Sequence, residues 1–308
     1  MVRLGMQMLK VILSATGARA ALCLVVLVLS VPAENAHADT LVGLTSTNGL
    51  VVLTGSYPIA VSAPVPIDGL LAGETVVAID IRPSTGALYA LARGSGLTAH
   101  LYVVNVFDGV AAAVGPAFTV PQSPGASASS YYGMTFDPSD QIRVVGYNSD
   151  HFRLNPGTGV PTALAAVALS TINAIAAAAD GTVYGITDPD SGDKLVRIGG
   201  AGGNPSPDLG AVTDLGLVGA EGGPTSGFDI SQTGIPFALL SEGGQRLYRL
   251  QLSPPGATLI GPIGGGVTLV DIAVQSSRGD ANNDGSVDLL DVFYLINYLF
   301  AGGAPPPP

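Results

Sequence analysis

The densest group of oxygen-bearing side chains lies near the C-terminus, in the stretch DANNDGSVDLLD that begins at Asp280. An EF-hand calcium loop spans twelve residues, with ligands at alternate positions, a glycine at position 6 and a carboxylate at position 12. Gly285 falls at position 6, and position 12 is an aspartate in place of the commoner glutamate. The predicted Ca²⁺ ligands are Asp280, Asn282, Asp284, Ser286 (through its backbone carbonyl), Asp288 and Asp291.

The crowding of these carboxylates supports the calcium interpretation. Carboxylates this close together repel one another unless a cation lies between them. The alternative interpretation is a solvated acidic turn that caps the following helix.

Further aspartates recur in the body of the chain, each near the end of a predicted strand. They are Asp80, Asp137, Asp229 and Asp271. If these strands line a central channel, a ring of carboxylates could hold a cation or a polar ligand. The other interpretation is that each carboxylate accepts backbone hydrogen bonds from the turn that follows it.

Other polar residues give weaker indications of chemistry. His100 and His151 have no neighbouring Asp or Ser at the spacing of a nucleophile, which favours a hydrogen-bonded or solvated role. The most polar patch of the body could bind sugar or peptide, or could simply form polar turns. It comprises Arg143, Asn148, Asp150, Arg153 and Asn155. Glycine-rich stretches such as residues 198–210 lack the Lys and Ser/Thr of a phosphate-binding loop.

The first 38 residues have the pattern of a secretory signal peptide. Basic residues precede a short apolar run, and Ala36 and Ala38 stand at the −3 and −1 positions of a cleavage site. The run is shorter than the roughly 20 residues of a membrane span, although an uncleaved anchor is the alternative. We therefore predict a secreted protein without a stable membrane span. Cleavage would remove Cys23, the only cysteine, and thereby exclude disulfides and thiolate sites.

Charge and composition restrict the partners and the fold class. The net charge of −11 makes nucleic acid an unfavourable partner. Only 11% of residues are charged and 47% are hydrophobic, with 42 glycines and 23 prolines. This mixture is typical of many short strands joined by tight turns, and too apolar for disorder.

The body of the chain, residues 39–275, contains four similar units that each predict four strands. Their first halves are residues 76–92, 133–147, 172–187 and 226–241. Turn sequences STG, SD, DG and QTG stand where a hairpin needs a residue that tolerates positive φ. Four strands per repeat of this length predict an all-β β-propeller. Residues 267–274 and 40–67 would complete a fifth blade shared by both ends of the body. Six blades or an open sandwich are the alternatives.

Several stretches of the body resemble a known bacterial family. They include GETVVAIDIRPSTGALYALA, FDPSDQIRVVGYNSDHFRLNPGTG and GFDI. Over residues 41–275 the chain resembles domain of unknown function 4394, a propeller-like family without an assigned activity. The resemblance implies the fold and leaves the function open.

The tail, residues 276–308, resembles a second family over residues 279–300. GDANNDGSVDLLDVFYLINYLF is similar to one repeat of a type I dockerin, which implies calcium binding and docking onto cohesin modules of extracellular assemblies. Dockerins usually carry two repeats, whereas this chain has one, and the positions of the usual polar contacts are Leu289 and Leu290. The predicted contacts for a cohesin-like or other extracellular protein are Leu289, Leu290, Phe293 and Ile296.

The apolar segment after the loop predicts a helix that must be buried, because apolar residues cover nearly all its faces. Its cover could be the propeller, a second copy or another protein. We expect a secreted, non-catalytic binding or display propeller attached through this calcium-binding tail. The alternatives are a calcium-assisted carbohydrate hydrolase or lyase that uses the channel aspartates, a component of a polysaccharide-degrading assembly, and a structural surface protein.

Overall fold

The computed structural model describes residues 39–122, 131–187, 192–220, 227–241, 243–275 and 289–304. The predicted signal peptide, and the calcium loop as far as Asp288, lie outside these residues. The described residues form five antiparallel sheets and one α-helix.

The first three strands belong to the sheet that closes the ring. They are β1 (Thr40–Thr45), β2 (Gly49–Thr54) and β3 (Val65–Pro66). Blade 1 follows, with β4 (Thr75–Ile81), β5 (Leu88–Arg93), β6 (Thr98–Val104), β7 (Ala111–Ala113) and the short β8 (Phe118–Thr119), which also pairs with β6. Blade 2 comprises β9 (Tyr132–Phe136), β10 (Ile142–Gly146), β11 (His151–Leu154) and β12 (Pro161–Ala163).

The remaining blades have the same order from the inner to the outer strand. Blade 3 comprises β13 (Ile172–Ala177), β14 (Val183–Thr187), β15 (Lys194–Ile198) and β16 (Val212–Leu217). Blade 4 comprises β17 (Gly227–Ile230), β18 (Pro236–Ser241), β19 (Gln245–Leu252) and β20 (Pro255–Pro262). The last strand, β21 (Leu269–Gln275), is the inner strand of blade 5, followed outwards by β1, β2 and β3.

Blade 5 is therefore built from both ends of the body, as the sequence predicts. β1 pairs antiparallel with β21, from Thr40 opposite Gln275 to Leu44 opposite Asp271. The inner strands β4, β9, β13, β17 and β21 contact one another in a closed circle. The five-bladed propeller is confirmed, and its closure joins the two strand edges that an open ring would leave exposed.

Each interface between neighbouring blades contains its own cluster of buried apolar side chains. Blades 5 and 1 share Val42, Leu44 and Ile79, for example, while blades 2 and 3 share Val145 and Ile175. Successive side chains of a strand point to opposite faces of a sheet, so a blade covered on both faces needs apolar residues at consecutive positions. This requirement explains the short continuous apolar runs of the sequence.

The hairpin turns have the backbone conformation that their residues predict. Positive φ occurs in the turns after β4, β9, β13 and β17, at Gly86 (67°), Asp140 (60°), Gly181 (90°) and Gly234 (82°). Glycine and aspartate adopt this conformation more readily than β-branched residues do. The four turn sequences therefore mark equivalent first hairpins in four blades.

The C-terminal helix α1, Leu289–Ala301, ends at Gly302, whose φ is 71°. Its apolar side chains are exposed on several faces, with exposed fractions of 72% at Leu289, 62% at Phe293 and 82% at Phe300. The helix thus does not bury these side chains against the propeller. Within the described residues, no helix has both the length and the apolar character needed to cross a membrane.

Candidate functional site

Three aspartates of the inner strands, Asp80, Asp229 and Asp271, hold the circle of inner strands together. In each carboxylate, Oδ1 accepts a hydrogen bond from the next backbone N–H of its own strand, at 2.7–2.9 Å. Oδ2 accepts one from the inner strand of a neighbouring blade. The donors are the N–H groups of Phe136 to Asp80 (2.6 Å), Val274 to Asp229 (2.6 Å) and Ile79 to Asp271 (2.8 Å).

The geometry of the inner strands explains why aspartates recur there. An inner strand has a neighbouring strand on one side only, so the N–H groups of its other edge face the channel without a ladder partner. Buried backbone donors need an acceptor, and the carboxylates supply it. This favours the structural interpretation of these residues, with the correction that the donors lie in the inner strands of two blades and not in the following turn.

Asp137 does not belong to this ring, and the structure instead bears out the other interpretation for it, in which its carboxylate accepts backbone hydrogen bonds from the following turn. Thr135 lies at the position in blade 2 that Asp80 has in blade 1, and its Oγ1 accepts a hydrogen bond from the N–H of Ala177 at 3.0 Å. Asp137 lies two residues later, in the hairpin turn, where its Oδ1 accepts from the N–H groups of Ser139 and Gln141. The equivalent residue of blade 3 is Ala176, which has no acceptor in its side chain.

Burial controls the ionisation of the channel aspartates. It raises the pKa of Asp229 to about 7 and raises the pKa values of Asp80 and Asp271 well above their usual range. The charge of Asp229 raises the pKa of Asp80 further. These carboxyls therefore keep their protons to a higher pH than an exposed aspartate does.

The space beside the channel aspartates is small. A cavity of about 40 Å³ lies against Asp80 and Asp229, enough for water but too small for a sugar unit. Among the described residues, no group of three or more His, Cys, Asp or Glu side chains is placed to bind a metal ion. A wider, largely apolar cavity of about 360 Å³ opens above them, lined by Phe136, Ala178 and Ile230 among others.

Blade 2 contains an uninterrupted line of polar side chains that crosses all four of its strands. Strand register places Arg143 opposite Thr135 and opposite Arg153, and Arg153 opposite Thr162. We call Thr135, Arg143, Arg153 and Thr162 the polar row. Directly opposed residues of adjacent strands point to the same face of a sheet, so these side chains share one face of blade 2.

Arg143 occupies a position that is aromatic in the other repeated units. The residues that pair with Asp80, Ala176 and Asp229 are Tyr89, Tyr184 and Phe237, respectively. In blade 2 the corresponding residue is Arg143, whose exposed fraction is only 1%. A buried charge is costly unless it is paired, so Arg143 needs partners that the aromatic residues of the other units do not need.

The partners of Arg143 come from blade 2 and from the loop before β16. Its Nη2 lies 2.7 Å from Oδ1 of Asp208, in the short 3-10 turn Pro207–Leu209. Arg153 Nη2 lies 3.0 Å from the same oxygen and 3.4 Å from Oδ2 of Asp137. Two guanidinium groups thus face two carboxylates, and the cluster has no net charge.

His151 completes the cluster as a neutral side chain. Burial lowers its pKa to about 4, and the nearby charge of Arg143 acts in the same direction. Its Nε2 accepts a hydrogen bond from Arg143 Nη1 at 2.7 Å, which leaves the proton on Nδ1 to donate to the carbonyl of Ala165 at 2.8 Å. His100, in blade 1, contacts Glu74, which also accepts from the Tyr102 hydroxyl at 2.6 Å. The hydrogen-bonded roles predicted for both histidines are confirmed.

A cavity of about 510 Å³ opens at the outer end of the polar row, between blades 2 and 3. We call it the row cavity. Its lining consists of Gln141, Arg153, Asn155, Thr158, Val160, Thr162, Leu164 and Asp208. Of the patch predicted from sequence, Arg153 and Asn155 lie here and Arg143 lies behind them, whereas Asn148 and Asp150 are in the turn between β10 and β11 and do not line it. Asp208, Gln141 and Thr162 also line the cavity and were not among the residues predicted from the sequence.

The family model Domain of unknown function (DUF4394) matches residues 49–273 of this sequence. That match spans most of the chain. The chain belongs to the DUF4394 family. The matched residues include the inner aspartates, the polar row and strands β2 to β20, and they leave out β1 and the last two residues of β21. A comparison with curated proteins finds no match for the chain.

Solved structures similar to this DUF4394 chain differ widely in what they are. A nidogen/laminin complex aligns with a TM-score of 0.47 at 10% identity, over 73% of this chain and 79% of that one. A protein of unknown function from Bacteroides thetaiotaomicron gives 0.49 at 12%, over 77% and 65%. Virginiamycin B lyase from Staphylococcus aureus gives 0.41 at 14%, over 73% and 70%. No activity transfers from likenesses at this level.

The tail lies outside the DUF4394 match. Of the six predicted calcium ligands, Asp291 alone falls within the described residues. It is in the first turn of helix α1, and its exposed fraction is 2%, in contrast to 72% and 56% for the two leucines before it. The Asp291 carboxylate is therefore buried, whereas apolar side chains of the same helix are exposed. Calcium binding at Asp280, Asn282, Asp284, Ser286, Asp288 and Asp291 stays a prediction.

Proposed function

We propose that this protein is a secreted, non-catalytic propeller module that is attached to an extracellular, cohesin-like protein through its calcium-binding tail. The observation that carries the proposal is the exposure of helix α1. Leu289, Phe293, Leu299 and Phe300 are each more than 60% exposed. An isolated helix of this length is marginal in water, and an apolar one gains stability only when another surface covers it.

The chemistry of the helix defines the partner surface. Asp291 is the only charged residue of α1, and it is buried, so the surface offered to a partner is uncharged and apolar. Contiguous exposed apolar surface on a soluble protein marks an interaction site. The resemblance of residues 279–300 to a dockerin repeat supports an extracellular partner of the cohesin type.

Calcium would prepare this surface. A Ca²⁺ ion coordinated by the loop would neutralise its carboxylates and fix the start of the helix through Asp291. Leu289 and Leu290, which directly precede Asp291, would then lie at the edge of the helix surface that contacts the partner. Removal of calcium should therefore weaken docking without unfolding the propeller, whose strands end at Gln275.

Calcium binding is tested by calorimetric titration of residues 39–308. We expect one site, which Asp284→Ala removes and which the matched change Asp68→Ala, at an exposed propeller aspartate, leaves unchanged. A version that stops at Gln275 should give no calcium heat. Calcium heat that persists in the truncated version would place the site in the propeller and contradict the role of the tail.

Docking is tested with an immobilised type I cohesin module as the probe. Binding should require calcium and should fall at least tenfold with Phe293→Asp. Phe107 is 73% exposed on the propeller, so Phe107→Asp is the matched control and should bind as the unmodified chain does. Absence of binding would reject the cohesin-type partner. A calcium-dependent oligomer that Phe293→Asp dissociates would instead identify the tail as a self-association element.

A further inference from the structure

We propose that the row cavity is a binding site for a neutral carbohydrate. The inference rests on the proposed function in that it treats the propeller as a binding module, and it names the chemical class of the ligand and the site.

Blade 2 has Arg143 where the other repeated units have an aromatic residue, and this difference affects the wall of the row cavity. Tyr89 and Tyr184 show that an aromatic side chain fits this position in other blades. Arg143 instead binds Oδ1 of Asp208, the residue that brings the loop before β16 to the cavity wall. The backbone supports the same placement, since the N–H of Ala165 donates to the carbonyl of Asp208 at 3.2 Å. The buried arginine thus fixes one wall of the cavity.

The cluster provides charged groups without a net charge. Arg143 and Arg153 face Asp137 and Asp208, and His151 is neutral. An anionic ligand would meet the carboxylate of Asp208, and a cationic one would meet the guanidinium of Arg153. Both groups are partly exposed in the cavity, with 30% of each side chain accessible. A neutral ligand avoids both repulsions.

The remaining lining selects a ligand that is rich in hydroxyl groups. Gln141, Thr158 and Thr162 present amide and hydroxyl groups, which both donate and accept hydrogen bonds, and Asn155 adds its amide nitrogen, since its Oδ1 already accepts from the N–H groups of Gly157 and Thr158. Sugar hydroxyls have the same dual character. Val160 and Leu164 add an apolar surface suited to the C–H face of a sugar ring. The volume of about 510 Å³ lies within the range of small-molecule sites.

The test uses an array of immobilised neutral glucans, mannans and xylans, beside acidic pectins and alginates, with residues 39–308 as the binding protein. Thr162→Phe fills the cavity from the outer strand. Thr258→Phe is the matched control, because Thr258 pairs with Arg249 in blade 4 as Thr162 pairs with Arg153 in blade 2. We expect at least one neutral glycan to bind, with an affinity at least tenfold lower in Thr162→Phe, unchanged in Thr258→Phe and little affected by salt.

Three results would overturn the inference. They are binding to acidic glycans alone, binding to no glycan, and binding that Thr162→Phe and Thr258→Phe affect equally. A parallel measurement with Phe293→Asp separates this inference from the proposed attachment. That variant should bind glycans normally while it fails to bind the cohesin module, so each idea can fail without the other.

Discussion

At the scale of single residues, the channel aspartates combine a structural role with an unusual ionisation. Asp80, Asp229 and Asp271 each accept two backbone hydrogen bonds, which favour the charged form, yet burial dominates and raises their pKa values. The stability of the ring should therefore depend on pH through side chains that solvent hardly reaches.

Asp229 gives a defined sign for this dependence. Its pKa is about 7 in the folded protein and about 4 when unfolded, so the folded state binds more protons between these values. The free energy of unfolding should fall as pH rises from about 4 to about 7. In Asp229→Asn, which cannot ionise, thermal melting between pH 5 and pH 8 should show a smaller loss of stability.

The control for this measurement is Asp68→Asn, at an exposed aspartate that should leave the slope unchanged. His151 contributes the opposite slope below pH 6.5, because its folded pKa is lowered to about 4, but it does so equally in all three proteins. Equal slopes in Asp229→Asn and the unmodified chain would show that Asp229 is ionised throughout.

At this scale the sequence predicts which residue types matter better than it predicts the side chains and backbone groups that they contact. Asp80, Asp229 and Asp271 lie in the inner strands as the sequence predicts, whereas Asp137 lies two residues beyond the position equivalent to Asp80 and therefore falls in the turn. Asp208 could not be found from spacing, since it meets Arg143 only after two blades pack together. Alignment of Arg143 with Tyr89, Tyr184 and Phe237 was the available signal, and it needs the strand register.

At the scale of elements, the approach of inner strands depends on residues without side chains. A Cβ atom at Gly133 would lie 2.7 Å from the backbone nitrogen of Ile175, in the inner strand of the next blade. Backbone atoms cannot rotate away as a flexible side chain can. Gly133 thus permits β9 and β13 to come together beside the channel.

Gly133→Ala should therefore separate these two strands and lower the free energy of unfolding by about 1–3 kcal/mol, as overpacking of a core does. Gly94→Ala is the matched control, because its nearest neighbour would be 3.8 Å away, and a change within about 0.5 kcal/mol is expected. Chemical denaturation measures both. Equal effects of the two changes would mean that the general backbone preference of alanine over glycine determines the result, and not the close approach of β9 and β13.

The periodicity of the sequence was sufficient to predict the elements themselves. Apolar runs bounded by turn residues identified the first two strands of four blades, because both faces of each blade are covered and the turns require positive φ. The position of helix α1 was also predicted. The surface that covers this helix could not be predicted. An apolar sequence requires burial, but it does not show whether the propeller, a second copy or another protein provides it.

At the scale of the whole molecule, stability depends on the meeting of strands that are far apart in the chain. β1 and β21 are separated by more than 220 residues, yet they form the ladder that closes blade 5. Until β21 is available, the edge of β1 has no partner, and such edges pair readily with other chains.

Removal of β1 should therefore promote association between chains. A chain that begins at Gly49 would leave β21 without its partner and β2 as a second open edge. Size-exclusion chromatography should show oligomers and a lowered melting temperature, compared with a chain that begins at Asp39. A monomer with unchanged melting would show that four blades and a partial fifth suffice for closure.

The pairing of Thr40 with Gln275 has a mechanical consequence for an attached protein. If the tail is the point of attachment, a pulling force enters the ring at Gln275, directly beside the start of β1. The two strands are antiparallel, so this force acts on the pairs of their ladder in succession, from the Gln275 end towards Leu269. Unzipping of this kind requires less force than shearing all the pairs together, and blade 5 would be the first part of the propeller to yield under load.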